Sequence, residues 1–285
     1  MYETIGYKAQ KEIDSIIYND KDFFKPKQFS KSNVITLKSV YEEILIYWDE
    51  EIRFRPNFSV SQDIVQIPTF FSLIYGMDNN QYEFFRNIKK LNTQNAYFIL
   101  KDNNGRLITK HNKGFKILDI KVLSKLLSIC DFFKTDKLDV KRVKNSQFYK
   151  YGLIDTYLQD NLFEKIQYII DNNIINIESK TKINNIILAC ALKLPDKIIS
   201  FYKEFDFTSK NPKLLYLSNI TSVLSIEEII SIVLCHYLGF DVVIYSLNGF
   251  NILGDYIDIE LINEHNIGDT TRIIEIPNIY LNEEE

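Results

Sequence analysis

The chain has 285 residues, of which 46% are hydrophobic and 25% charged, with a formal net charge of -4. Those are the proportions of a globular protein with room for one large domain or two smaller ones. The acidic balance argues against a nucleic-acid binder built on a dominant basic surface, because phosphate neutralisation needs clustered Lys and Arg.

In chain order, the first elements read as helical. Ile13, Ile16 and Ile17 fall at helical spacing in "YKAQKEIDSIIYND", as do Leu37, Val40, Tyr41, Ile44, Leu45 and Trp48 in "LKSVYEEILIYWDEE". In "NFSVSQDIVQIPTFFSLIYG" the apolar positions alternate, with Phe58 and Val60 before Gln-Asp and Ile64, Val65 and Ile67 after it. That predicts a short hairpin closed by Pro68, with a helix from Thr69. "QYEFFRNIKKL" predicts a helix, and "NAYFILKDNNGRLIT" a strand, an Asn-Gly turn and a second strand. Four helices are expected next: "DIKVLSKLLSICDFF", "LIDTYLQDNLFEKIQYIIDN", "KINNIILACALKL" and "PDKIISFYKEF".

After Asn211 the pattern changes. "PKLLYLS" and "DVVIYS" are short continuous apolar runs, the signature of strands buried on both faces. Between them "SIEEIISIVLCHYLG" opens on Ser225 and Glu228, a capping box, and stops at Gly239. Strand, capped helix, strand is a βαβ unit with parallel strands. "NILGDYI" reads as a short helix and "TRIIEI" as a third strand. The expected class is α/β, rich in helix. A mainly helical region with small β-hairpins, 1–208, precedes a Rossmann-like α/β unit, 209–285. Three parallel strands alone leave exposed edges, so the preceding helices or a further segment must complete them.

Several chemistries are disfavoured. Glycine is scarce, and neither G-x-x-x-x-G-K-[ST] nor G-x-G-x-x-G occurs. Cys130, Cys190 and Cys235 are scattered and read as buried thiols of a reducing cytoplasm. His111, His236 and His265 are equally scattered, so no zinc spacing arises, and no cofactor or metal is indicated. Apolar runs fall short of the roughly 18 residues that would span a bilayer, and the N-terminus lacks a signal peptide's pattern. The basic run "KTDKLDVKRVKNSQFYKY" reads as a solvated connector.

In open parallel sheets, ligands bind beyond the carboxyl ends of the strands. Ser246 to Gly249 lies at such an end. Ser246 and Asn248 offer donors, Gly249 permits close backbone approach, and Asn251 is placed to cap the next helix toward an anion. The same stretch also fits a plain turn. Arg53 and Arg55, on one side of an extended segment, form a second candidate for anion contact. Pairing with Asp49, Glu50 and Glu51 is the simpler account of them. Lys25, Lys27 and Gln28 form a third possible contact. His265 is a candidate general base if it faces the junction, and Asp255 and Asp258 a metal pair, although a satisfied surface or core histidine and helix-end solvation are the simpler accounts.

The segments "IGYKAQKEIDSIIY", "DFFKPKQF", "VYEEILIYWDEEIRFRPNFSV", "VQIPTFFSLIYGM", "EFDFTSKNPKLLYL", "LGFDVVIYSLNGFNILGDYI" and "NEHNIGD" together resemble the YceG-like family of bacterial tellurite-resistance and stress gene clusters. The resemblance rests on their order and spacing. In that family the junction after the "FDVVIY" strand reads Pro-Thr-Gly-Tyr; here it is Leu247, Asn248, Gly249, Phe250, which loses the Thr hydroxyl. Its members are longer at the N-terminus, so the resemblance implies a fragment, a split-gene product or a short relative. It also implies a component of a "biosynthetic module" linked to tellurite resistance, with no reaction attached. Two functions are then expected. One is binding of a nucleotide or other anionic metabolite at the sheet's carboxyl edge. The other is a non-catalytic scaffold assembling with other tellurite-resistance proteins.

Overall fold

A computed structural model of the protein describes residues 29, 31–61, 64–77, 80–109, 114–177 and 180–268. The expected helix over 7–20, the expected strand over 271–276, Lys25, Lys27, Gln28 and His111 all lie outside the described residues.

The centre is a six-stranded sheet in the order β11 (Asn263–Asn266), β4 (Phe71–Tyr75), β10 (Asp241–Ser246), β9 (Lys213–Ser218), β5 (Ala96–Lys101) and β6 (Leu107–Thr109). The first five are parallel, and β6 closes the edge as the antiparallel partner of β5. Beside it lies a three-stranded sheet of β1 (Lys31–Thr36), β3 (Ile64–Thr69) and β2 (Ser59–Ser61), where β2 and β3 form the expected hairpin. A two-residue ladder joins β7 (Phe133–Lys134) to β8 (Lys137–Leu138). The helices are α1 (Tyr41–Tyr47), α2 (Gln81–Leu91), α3 (Ile117–Cys130), α4 (Val140–Lys144), α5 (Thr156–Asp171), α6 (Lys180–Leu192), α7 (Asp196–Glu204) and α8 (Ile226–Tyr237).

The four inner strands β4, β10, β9 and β5 are buried on both faces, which is why they read as largely apolar runs. Along β9, Leu214 and Tyr216 enter the large core under α5, α6 and α8, while Leu215 and Leu217 enter a second core with Trp48 of the α1 turn and Phe84, Ile88 and Leu91 of α2. The β9–α8–β10 unit has the expected parallel register, from Lys213↔Asp241 to Ser218↔Ser246. Helix α8 begins at the expected capping box, with Ser225 accepting from the Glu228 amide and Glu228 accepting from the Ser225 amide. It ends where Gly239 adopts φ +93°, a conformation that costs a residue with a Cβ but not glycine.

Three expectations are corrected. The segment after Thr69 is strand β4, not a helix: "FFSLIY" is six residues long and apolar except for Ser72, too short to choose between the two by periodicity, and burial on both faces selects strand. The segment after Asn251 forms turns rather than a helix. The strands β4, β5 and β6 come from before residue 208, yet β10 and β9 sit between β4 and β5. Residue 208 therefore marks a change of sequence character inside one sheet. The open edges expected of a three-stranded unit are filled from within the chain.

Candidate functional site

The two halves of the anion site expected from the sequence stand at opposite ends of the sheet. Arg55 reaches Asp241, the first residue of β10, whereas Ser246 is the last. They are five residue steps apart along the strand, about 17 Å at ~3.3 Å per residue. Arg55 and the Ser246–Gly249 junction therefore cannot grip one small ligand.

Arg55 is held by internal partners. Its guanidinium donates to both carboxylate oxygens of Asp241, each at 2.7 Å, and to the Tyr47 carbonyl at 2.7 Å and the Pro68 carbonyl at 3.2 Å. Lys213 donates to Asp241 at 2.6 Å and to Asn211 at 2.5 Å, and its ammonium lies 5.1 Å from the Trp48 ring centre. All three charged side chains are completely buried. Burial alone pushes the Asp241 carboxyl up, but Arg55 and Lys213 outweigh it and hold the group well below the usual carboxylate range. Burial pulls the Lys213 ammonium down to about 7, against the attraction of Asp241. This cluster ties the starts of β9 and β10 to the end of β3 and to the segment after α1, and it is structural. Arg53 pairs locally with Glu51 at 2.5 Å, as the simpler account had it.

At the other end, the donors expected to hold an anion are already engaged. The Ser246 hydroxyl donates to the Phe250 carbonyl at 2.6 Å, and the Asn248 amide to the Asn219 carbonyl at 2.6 Å. The Gly249 amide closes a turn on the Ser246 carbonyl with φ +66°. The Asn251 side chain accepts from the Leu253 and Gly254 amides, so it caps a turn and not a helix. His265 lies in register with Ile74, whose side chain enters the α1–α2 core, whereas Ser246 follows the alternation of Val242 and Ile244 into the opposite core. His265 consequently does not face the junction. His236 is buried between the Thr36 and Thr69 hydroxyls, each 3.2 Å from a ring nitrogen, and burial lowers its pKa to about 3, so it is neutral. Asp255 and Asp258 do not join a metal site: among the described residues no group of three His, Cys, Asp or Glu is placed to hold an ion.

A different arrangement occupies the carboxyl edge. Tyr75, Ser246, Ser218 and Lys101 stand in register as a row across β4, β10, β9 and β5. Lys101 donates to both oxygens of Glu228 at 2.9 and 2.8 Å. Glu228 also accepts from the Tyr216 hydroxyl at 2.9 Å and the Ser225 hydroxyl at 2.8 Å. A carboxylate of the chain itself thus sits at the N-terminus of α8, where a bound phosphate would be favoured in an open site. The Ser218 hydroxyl is buried and has no hydrogen-bond partner among the described residues. At the Lys101 end of the row opens a cleft of about 470 Å³, lined by Lys101, Asn103, Asn104, Asn219, Thr221 and Asn248 among others. Its walls are neutral amides and hydroxyls, with one cation already paired.

The sequence places a site at this edge and picks out Ser246 and Asn248, but not Lys101, Asn103, Asn104, Asn219, Thr221 or the role of Glu228. Asn103 and Asn104 were read only as a hairpin turn, and Glu228 only as a cap. The signal available was the charged residue ending an otherwise apolar strand, Lys101 after "AYFIL".

No helix among the described residues is long and apolar enough to cross a membrane. The model of the YceG domain family matches residues 38–279. The chain is also similar to "Uncharacterized protein YceG" of Bacillus subtilis (strain 168), at 20% identity over 273 residues, 93% of this chain and 49% of that protein. It therefore spans about half the length of the curated relative it matches. No solved structure matches. With the family model covering most of its length, this chain belongs to the YceG domain family.

Proposed function

We propose that the chain binds a nucleotide, sugar nucleotide or related polar metabolite in the cleft at the carboxyl edge of the central sheet. We further propose that it does so within the tellurite-resistance and stress-response biosynthetic module that the resemblance implied. The observation that carries the reading is the cleft itself. It opens beyond the carboxyl ends of β5, β9 and β10, where α/β sheets bind ligands, and its lining is dominated by amide and hydroxyl groups. The parallel β9–α8–β10 crossover beneath it supports the reading.

The chemistry refines the ligand. Glu228 neutralises Lys101 and fills the N-terminus of α8, so the cleft offers no free cation for a phosphate. Recognition falls instead on ribose or sugar hydroxyls and base edges, which asparagine side chains meet as both donors and acceptors. Any phosphate then projects to solvent or competes with Glu228 for Lys101.

The test is a thermal-shift and calorimetric screen of nucleosides, nucleotides and sugar nucleotides. A ligand present at a hundredfold its Kd stabilises the folded state by about 2.7 kcal/mol. Thr221→Arg, at an exposed wall position, should abolish the shift and leave the ligand-free melting temperature unchanged. Absence of any shift across the panel, or a shift that survives both Thr221→Arg and Asn104→Arg, overturns the reading.

A further inference from the structure

A second cavity, of about 350 Å³, shares no lining residue with the cleft at the carboxyl edge. It opens between the end of α5, the segment 173–177 that follows, and α6, with the β7–β8 turn at its rim. The local sequence makes its floor apolar. The stretches "EKIQYIIDNNIINI" and "KINNIILAC" supply six isoleucines to the walls, among them the buried Ile169, Ile175 and Ile187. The segment that closes one side is held at both faces. The Ile174 amide donates to the Ile169 carbonyl at 3.1 Å and the Asn176 amide to the Tyr256 carbonyl at 2.8 Å, and Ile175 bridges to Ile257. A preformed concavity with an apolar floor and a few placed polar groups is the ordinary form of a small-ligand site, and this volume lies within the usual range of ~300–1,000 Å³.

The polar rim selects the ligand. Lys137 donates to both oxygens of Asp171 at 2.9 and 2.7 Å, and Gln167 donates to one of them at 2.7 Å, so that carboxylate is satisfied. Asp136 differs. The Asn184 side chain, 3% exposed, donates to it at 2.8 Å and fixes it at the mouth, but it has no ion pair among the described residues. The two carboxylates, with Lys137 on one of them, leave the rim net negative. Helix α5 ends and α6 begins here, so their dipoles oppose and the side chains set the sign. No basic side chain and no aromatic ring is among the described lining residues. An anion is therefore opposed. A cation has no ring face to sit on, which leaves Asp136 as its seat through a charge-assisted hydrogen bond.

We infer that this cavity binds a small aliphatic amine, with its ammonium on Asp136 and its hydrocarbon body among the isoleucines. The site needs both parts of the ligand, because the floor offers a polar molecule nothing and the rim offers a hydrocarbon no anchor. The inference is independent of the reading of the cleft.

The test is an NMR titration of the full chain with three probes of equal length, n-hexylammonium, 1-hexanol and hexanoate. Hexylammonium should bind about fivefold or more tighter than hexanol, and hexanoate weaker than either. Asp136→Asn keeps the shape of the rim and a partner for Asn184. It should bring hexylammonium down to the level of hexanol and leave hexanol unchanged. Ile177→Trp, at a half-buried wall position, fills the cavity and should abolish binding of both. Matching circular dichroism spectra and melting temperatures establish that the variants fold; should Ile177→Trp not fold, Asn176→Trp, at an exposed wall position, takes its place. No binding of any probe, hexylammonium no tighter than hexanol, a preference for hexanoate, or hexylammonium binding that survives Asp136→Asn or the filled cavity overturns the inference.

Discussion

Replacing Asp241 by Asn tests the buried charge cluster most directly. The wild-type carboxylate accepts two bonds from Arg55, one from Lys213 and one from the Phe70 amide, with every charged side chain fully buried. Asn has nearly the same volume but no charge, and its NH2 group would face a cation. Removing one partner of a buried ion pair costs about 3–5 kcal/mol, because the remaining charge is left desolvated. Two cations share this carboxylate, which raises the cost. Lys213 can shed its proton near neutral pH, which lowers it. The net expectation is about 4 kcal/mol, or roughly 10 °C in Tm for a domain of this size. Lys213→Met is the contrasting variant. It removes the surplus cation and leaves Arg55 with Asp241, so it should cost about 1 kcal/mol or less. Both are read by urea unfolding followed through Trp48, the single tryptophan, which is 1% exposed and stacked against Lys213. An Asp241→Asn variant within 1 kcal/mol of the parent, or a Lys213→Met variant as damaged as Asp241→Asn, would refute this account.

Stability should also rise with pH over two ranges. Burial lowers the Lys213 ammonium to about 7 and that of Lys165, which donates to the Ser32 carbonyl, to about 8. An unfolded lysine titrates near 10.4, so between about pH 7 and 10 the unfolded chain binds more protons and raising pH favours the fold. Lys213→Met should flatten that slope in a series of Tm measurements. The neutral His236, lowered to about 3, makes stability fall as pH drops from about 6.5 toward 3. Glu228→Ala removes the carboxylate half of the α8 capping box and the partner of Lys101 and Tyr216 together, for an expected loss of about 3–5 kcal/mol by denaturant titration; a loss under 1 kcal/mol would show the network to be dispensable. Gly239→Ala forces a Cβ to 2.9 Å from the Phe205 ring at φ +93°, and should cost about 1–3 kcal/mol by the same measurement.

The sequence was most informative where structure is local. The capping box at Ser225 and Glu228, the βαβ unit and both hairpins depend on residues close together in the chain, and they are found where expected. Strand β4 was misread because a six-residue apolar run fits a buried helix turn as well as a buried strand. The order of strands could not be read at all, since β4 meets β10 across some 170 residues. The same distance explains Arg55. Acidic neighbours at 49–51 made a local pair the natural expectation, and Arg53 takes it, but the partner of Arg55 is 186 positions away. At the carboxyl edge the position of a site was legible, whereas the internal carboxylate that fills the helix end emerged only from packing.

The interleaved strand order has a consequence for how the chain is made. Strands β4 and β5 are made before β9 and β10, so the two positions between them stay vacant until residues 213–246 arrive. Until then the nascent polypeptide displays apolar strands with unpaired edges, the geometry that invites misassembly and chaperone capture. Closure joins distant segments in a single late event, which favours slow folding. A polypeptide stopped at residue 208 would lack the two central strands and remain unable to close its sheet.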